Sequence, residues 1–302
     1  MRARIRGRIL VAVLGLVATV FASSGQAAPG PAVPLLQIDF IDVGQGDAAL
    51  ITSPAGKTVL IDGGPREAGP RLTAFLRAHH RGPIDLVVLT HRHADHLGGL
   101  AAVVREVGAR MFLDAPYPHP SAAYQALLGA LAETAVPVRQ AERGRTVDLG
   151  GGATITLLSP PDPPISGSRS DVNANSVVLR VDYRGVGVLF AADAEAPTER
   201  WLLQAKAPLR AQVLKVAHHG SPYSSTARFL RAVAPSIAVV SVGERNDFGH
   251  PSPRTLEALE RASARIYRTD RDGTVSVLTD GARIQVRTAR TAQENGEILA
   301  AP

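Results

Sequence analysis

The sequence predicts an α/β fold of stacked layers, and three observations predict it. Short apolar runs of strand length alternate with stretches of helical spacing along most of the chain. Glycine, proline, serine and aspartate punctuate those runs as turns. The hydrophobic share of 45% beside 20% charged residues matches a chain that buries a core, with no low-complexity tract that would resist folding. Many short strands with helices at intervals imply sheets whose outer faces are covered by helices.

Taken in order, apolar runs predict strands over 36–43, 48–52 and 58–61, and helical spacing predicts a helix over 70–80. A continuous apolar run over 84–90 is a buried strand. The apolar pattern over 97–107 is a helix, so the histidines between them fall at a strand-to-helix junction. A short strand at 111–113, a helix over 122–133 and a strand at 154–158 follow. Residues 159–171, rich in Pro, Ser and Gly, are either a connection between two halves or an ordered loop. Beyond them come strands at 176–182 and 187–191, a helix at 197–204, a strand at 213–216 and a helix at 225–233. A strand at 237–242, a helix at 253–262 and strands at 265–267, 274–279 and 283–288 close the domain, expected over 35–288, before a frayed tail over 289–302.

The N-terminus has its own pattern. Arg2, Arg4, Arg6 and Arg8 precede an apolar run from Ile9 to Phe21 and then small residues to Ala28. That order is the pattern of a signal peptide over 1–27, and the run is shorter than the roughly 20 residues a membrane span needs. The chain is therefore expected to be exported, periplasmic or secreted, with no membrane association after cleavage. Removing those four arginines from a formal charge of +6 leaves about +2, so charge alone does not select a nucleic-acid partner. With no cysteine in the chain, a disulfide, a thiolate ligand and a cysteine nucleophile are excluded. Any metal must be held by nitrogen and oxygen donors.

Within residues 91–96, His91, His93, Asp95 and His96 place three imidazoles and a carboxylate at the mouth of the strand expected over 84–90. Such crowding needs a cation, because neutral imidazole and carboxylate are the ordinary ligands of zinc and similar divalent ions. Gly98 and Gly99 behind them let the backbone approach closely as the helix begins.

His-x-His-x-Asp-His followed by Gly-Gly resembles the signature of the metallo-β-lactamase fold. Within it the likeness is to the soluble hydrolase domain of ComEC-type DNA-uptake proteins. It is carried also by Asp42 to Ala48, Asp62-Gly63-Gly64, Asn173 to Ser176, Leu214 to Ser221, Phe248 to Pro251 and Tyr267 to Asp270. The resemblance implies a four-layer αββα sandwich with two divalent ions, zinc or manganese, at one edge of the paired sheets. It implies that His91 and His93 hold one ion, Asp95 and His96 the other, that Asp193 bridges both, and that His219 completes the second while His218 points to substrate. Spacing alone allows either ring of the His218 and His219 pair to face a metal. Asp47 and Asp62 are either partners of the ligand rings or turn residues. One departure stands out: no histidine lies between His119 and His218, where the family supplies a further ligand. Asp171 or Asn173 lies at that place, and an oxygen donor there favours manganese or magnesium. Occupancy by one ion is the other reading.

The chemistry implied is phosphodiester hydrolysis of DNA. A pair of divalent ions acidifies a bridging water so that hydroxide is present at neutral pH, Asp95 orients it, and His218, Lys215 or His250 meet the phosphate. Lys215 serves equally well as a strand-end residue. His250 binds phosphate, protonates the leaving group or is an exposed loop residue; His79, His80 and His119 read as surface residues. A small phosphoester or lactone is the alternative substrate, and a scaffold with a structural metal the alternative class. No stable protein partner is expected.

Overall fold

A computed structural model describes residues 34–290 and the strand Glu297–Ala300; the expected signal segment lies outside the described residues. The chain opens with an antiparallel meander of β1 (Leu36–Phe40), β2 (Ala49–Thr52) and β3 (Thr58–Ile61). Helix α1 (Gly69–His79) crosses to β4 (Leu86–Val88), parallel to β3. The short helix α2 (Ala94–Leu97) and α3 (Leu100–Glu106) lead to β5 (Phe112–Asp114), and α4 (Ala122–Glu133) to β6 (Val138–Gln140).

The second sheet follows with β7 (Thr146–Gly150), β8 (Ala153–Leu157), the turn of helix α5 (Asp171–Ala174), β9 (Leu179–Tyr183) and β10 (Val186–Phe190). Helix α6 (Ala196–Gln204), β11 (Val213–Lys215), α7 (Ala227–Val233), β12 (Ile237–Val240), α8 (Pro253–Arg261) and β13 (Arg265–Arg268) extend it by parallel crossovers. Through α9 (Thr269–Asp272) the chain returns to the first sheet for β14 (Val275–Thr279), β15 (Arg283–Thr288) and β16 (Glu297–Ala300). The orders are β16-β15-β14-β1-β2-β3-β4-β5-β6 and β13-β12-β11-β10-β9-β8-β7.

Alternation along each strand explains the layering, since successive side chains point to opposite faces. Ile38, Phe40, Val59 and Val88 from the first sheet meet Ile155, Val181, Val188 and Val239 from the second in one buried cluster. Their alternates, Leu50, Leu60 and Val87, pack with Leu72, Leu100 and Leu127 of α1, α3 and α4. Leu189, Leu214 and Ala238 pack with Leu202, Phe229 and Leu259 of α6, α7 and α8. Both faces of each sheet are therefore apolar, and the order of layers is helix, sheet, sheet, helix. Each fully buried Leu or Phe contributes about 1.5–3 kcal/mol of transfer free energy to that stack.

Three sequence expectations need correction. The single helix expected over 97–107 is two, because Gly98 and Gly99 sit against neighbouring backbone: a Cβ on Gly99 would lie 2.3 Å from the Gly63 carbonyl oxygen. Strands β6 and β7 were not expected; β6 is exposed along its length and carries no apolar alternation. Glu297–Ala300, expected within a tail, pairs antiparallel with β15, whose outer backbone groups would otherwise stand unpaired. Residues 159–171 form an ordered loop: the Asn175 side chain binds both backbone groups of Ile165, and the Asp171 carboxylate accepts from the backbone of Gly167 and Ser168.

Candidate metal centre

The site lies where the first sheet's β3 and β4 and the second sheet's β10, β11 and β12 end at a common edge, where crevices beyond strand carboxyl ends commonly hold ligands. His91 and His93 follow β4, and Asp95 and His96 lie in α2. Asp193 follows β10, and His218 and His219 occupy a tight 3-10 turn, Ala217–Gly220, after β11. Backbone contacts fix the frame: Asp47 N–H donates to the Asp95 carbonyl, Gly63 N–H to that of His96, and Gly64 N–H to that of Asp47. Gly46 permits the first of these, since a Cβ there would lie 2.2 Å from the Asp95 carbonyl oxygen.

Two donor groups result. In the first, His91 Nε2 lies 3.1 Å from His93 Nδ1 and 3.5 Å from Asp193 Oδ2. In the second, His219 Nε2 lies 3.2 Å and His96 Nε2 3.8 Å from Asp95 Oδ2. Asp193 spans the two, with its Oδ1 3.3 Å from His96 Nε2. Asp193 Oδ1, His96 Nε2 and His219 Nε2 are all buried without a hydrogen-bond partner. Buried polar atoms rarely stay orphaned, so three of them converging fit divalent ions.

The far sides of the rings are anchored, as metal-binding imidazoles require. Asp62 Oδ2 lies 2.8 Å from His96 Nδ1 and also accepts from the Thr90 hydroxyl. Asp47 Oδ1 and the Ser241 carbonyl lie 3.2 and 3.0 Å from His219 Nδ1. Both aspartates thus meet ligand rings rather than serving turns alone. Lys215 is neither at the substrate face nor a simple strand end: its ammonium is buried, 2.7 Å from Asp47 Oδ2, and donates also to the Val216 carbonyl.

Electrostatics follow from this packing. Burial alone would raise the Asp47 carboxyl, but Lys215, His219 and His96 pull it down to about 2. Burial disfavours a charged His219, yet Asp193 and Asp47 overcome it and raise the ring to about 10. His96 is pushed well above its ordinary value against burial by Asp193, Asp95 and Asp62. His91 is held well below its own by burial and by the His96 charge.

The remaining candidates divide. His218 is one-fifth exposed; its Nε2 lies 3.6 Å from Asp193 Oδ2 and its Nδ1 3.3 Å from the buried Glu195 carboxylate. Its ring therefore borders the His91 and His93 side, while His219 sits with Asp95 and His96. Asp171 is occupied by the loop contacts described above, whereas Asn173 is buried, its Oδ1 unpartnered and its Nδ2 3.5 Å from His218 Nε2. Of the two replacements for the missing histidine, Asn173 is the one that reaches a site histidine. His250 is half-buried with its ring 5.6 Å from that of His218.

His119, read from sequence as a surface residue, stands edge-on 5.2 Å from His93. Sequence reasoning missed Glu195 and Arg92. Arg92 turns away from the site, donates to Asp114 at 2.8 Å and to the Ala115 carbonyl, and stacks on Tyr124, pinning the histidine loop to β5 and α4. Only its place inside the motif hinted at a role.

The family model of the Metallo-beta-lactamase superfamily matches residues 41–244. ComE operon protein 3 of Bacillus subtilis is 29% identical over 264 residues, covering 79% of this chain and 32% of that protein. Recombination protein 2 of Haemophilus influenzae is 30% identical over 270 residues, covering 85% of this chain and 31% of that protein. Both are competence proteins of the ComEC type, and the chain spans about a third of the length of each. Among solved structures, the metallo-beta-lactamase fold protein YhfI from Bacillus subtilis superposes with a TM-score of 0.53 at 15% identity, covering 77% of this chain and 96% of that one.

Proposed function

The chain belongs to the metallo-β-lactamase superfamily of metal-dependent hydrolases, and from that premise we propose that it is an exported phosphodiesterase that cleaves DNA. His91, His93 and Asp193 would hold one ion and Asp95, His96 and His219, with Asp193 beside them, the other, and Asn173 Oδ1 would add an oxygen donor. The observation that carries this reading is the Asp193 carboxylate, which faces both imidazole groups while one of its oxygens is buried without a hydrogen bond. An oxygen donor in place of a histidine supports manganese over zinc. The competence-protein relatives support DNA as the substrate, and the run of arginines and apolar residues over 2–21 supports export.

Two divalent ions supply such a site with an acidified water and a polarised phosphoryl oxygen. The chain's own groups do the rest. Asp95, one-third exposed while His96 and His219 are buried, presents its carboxylate to the open side and orients the attacking water. Asp62 fixes the ring of His96 and the Ser241 carbonyl, with the Asp47 carboxylate beside it, that of His219, so the centre needs no rearrangement as charge develops. His218, backed by Glu195, and His250 present ring N–H groups toward the non-bridging oxygens.

The test is to purify the chain without residues 1–27, measure bound metal, and assay it with manganese, magnesium and zinc. The substrates are DNA, a chromogenic phosphodiester, a lactone and nitrocefin. Metal-dependent DNA cleavage abolished by His91→Ala and by Asp193→Asn is the expected result. Turnover of the lactone alone would transfer the chain to small-molecule hydrolysis, and bound metal without any turnover would favour a scaffold.

A further inference from the structure

We propose that Phe248 is a stacking platform for a nucleobase next to the scissile phosphodiester, so that the site takes single-stranded in preference to fully paired nucleic acid. The inference rests on the phosphodiesterase reading and specifies its substrate class.

Five large hydrophobic side chains are exposed among the described residues: Leu35, Met111, Val138, Tyr223 and Phe248. The two aromatic ones are both on loops that carry site histidines. Phe248, at 68% exposure the most exposed of the five, lies two residues before His250, and Tyr223 lies four after His219. Rings step outward from the centre: His218 Nε2 is 3.6 Å from Asp193 Oδ2, the His250 ring is 5.6 Å from that of His218, and Phe248 stacks on His250 at 5.9 Å with 25° between the planes. Phe248 is therefore two ring spacings from His218, which itself lies beside the Asp193 carboxylate, a path of the order a nucleotide or two covers.

The loop is built to hold that ring out. Asn246 Nδ2 donates to the carbonyls of Gly243 and His250 at 3.0 and 2.8 Å, and Asn246 Oδ1 accepts from His250 N–H at 3.0 Å. Gly243 N–H donates to Gln45 Oε1, tying the loop back to the first sheet. A fixed, solvent-facing Phe leaves apolar surface in water that a base face would cover, and every base has such a face. On the segment beside Glu195, the Tyr223 ring is covered on one face by the Arg169 guanidinium at 3.7 Å, which leaves Phe248 as the exposed aromatic without such a cover. In a duplex the base faces are stacked on one another except at its ends, so an unpaired strand alone can use the Phe248 face at any point along its length.

The test measures binding and turnover of a labelled oligothymidylate and of an equally long oligomer of abasic deoxyribose phosphate. Phe248→Ala should weaken oligothymidylate binding and raise its KM about tenfold, the size expected of one base-aromatic stack. Binding of the abasic oligomer should fall far less than that of oligothymidylate, and Phe248→Trp should restore oligothymidylate binding. Equal weakening on both oligomers, no weakening on either, or no oligomer binding by the wild-type protein overturns the platform. If Phe248 discriminates bases in binding while the wild-type protein cleaves no phosphodiester with any metal, the platform stands and the hydrolytic reading falls.

Discussion

The two sheets supply their candidate ligands in different ways. The first contributes His91, His93, Asp95 and His96 from one six-residue stretch, in which His93 has an ordinary extended backbone and Asp95 and His96 lie in a helical turn. The second contributes single residues from separate loops, on backbone that is far from ordinary. Ala192, just before Asp193, has φ 47°, and His218 and His219 have φ 50° and 52°. Left-handed backbone at a non-glycine residue costs on the order of 1–3 kcal/mol and persists only where packing enforces it. In one region sequence spacing places the ligands; in the other the surrounding structure does so against local preference.

Substitutions in the second sheet should expose that difference in graded fashion. Asp193→Asn should have the largest effect, lowering kcat on the order of 10³-fold while the thermal unfolding curve of the metal-free protein holds its shape. Lys215→Met comes next. It leaves Asp47 buried beside His219 without its cation, and urea unfolding should show a loss of about 3–5 kcal/mol.

The third outcome concerns pH. The folded Asp47 carboxyl lies at about 2 against an unfolded value of 3.8, so its contribution is complete above about pH 4 and is lost as pH falls through 2. Urea unfolding of the metal-free protein between pH 5 and pH 2 should show ~2 kcal/mol of stability lost on this account. Asp47→Asn should flatten that limb. The smallest effect is expected from Ala192→Gly, which relieves the left-handed backbone before Asp193. A gain of up to ~1 kcal/mol in denaturant midpoint analysis would reveal the strain, and a loss would mean that Ala192 carries none.

The alternation of strands and helices and the first sheet's candidate ligands were legible in the sequence because each depends on short-range pattern, whereas the four-layer order was implied by the family resemblance. Strands such as 58–61 and helices such as 122–133 carry clear apolar runs or spacing, and the His91 to His96 run is contiguous. Strand β6 was not, because its Val-Arg-Gln is exposed and pairs through backbone alone. The Lys215 and Asp47 pair joins residues in different sheets, and no local signal distinguishes a buried lysine from a surface one. Glu195 was invisible for the same reason, although its position two residues after Asp193 puts it in the right loop. The choice between Asp171 and Asn173 needed the loop contacts that occupy one and leave the other free to turn inward.

The candidate metal centre draws on both sheets, so ions bound there would also act as fasteners. Asp193 and His219 belong to one sheet and His91 and His96 to the other, so any motion that parts the layers at this edge would have to release bound ions first. Occupancy then adds to the closed form by mass action, about 2.7 kcal/mol at a free ion concentration a hundred times the dissociation constant. Chelation should then reach well beyond the site, loosening the shared interior where Phe40 stacks on Phe190 and opening it to proteases, so that ion supply would set the lifetime of the chain as well as its chemistry.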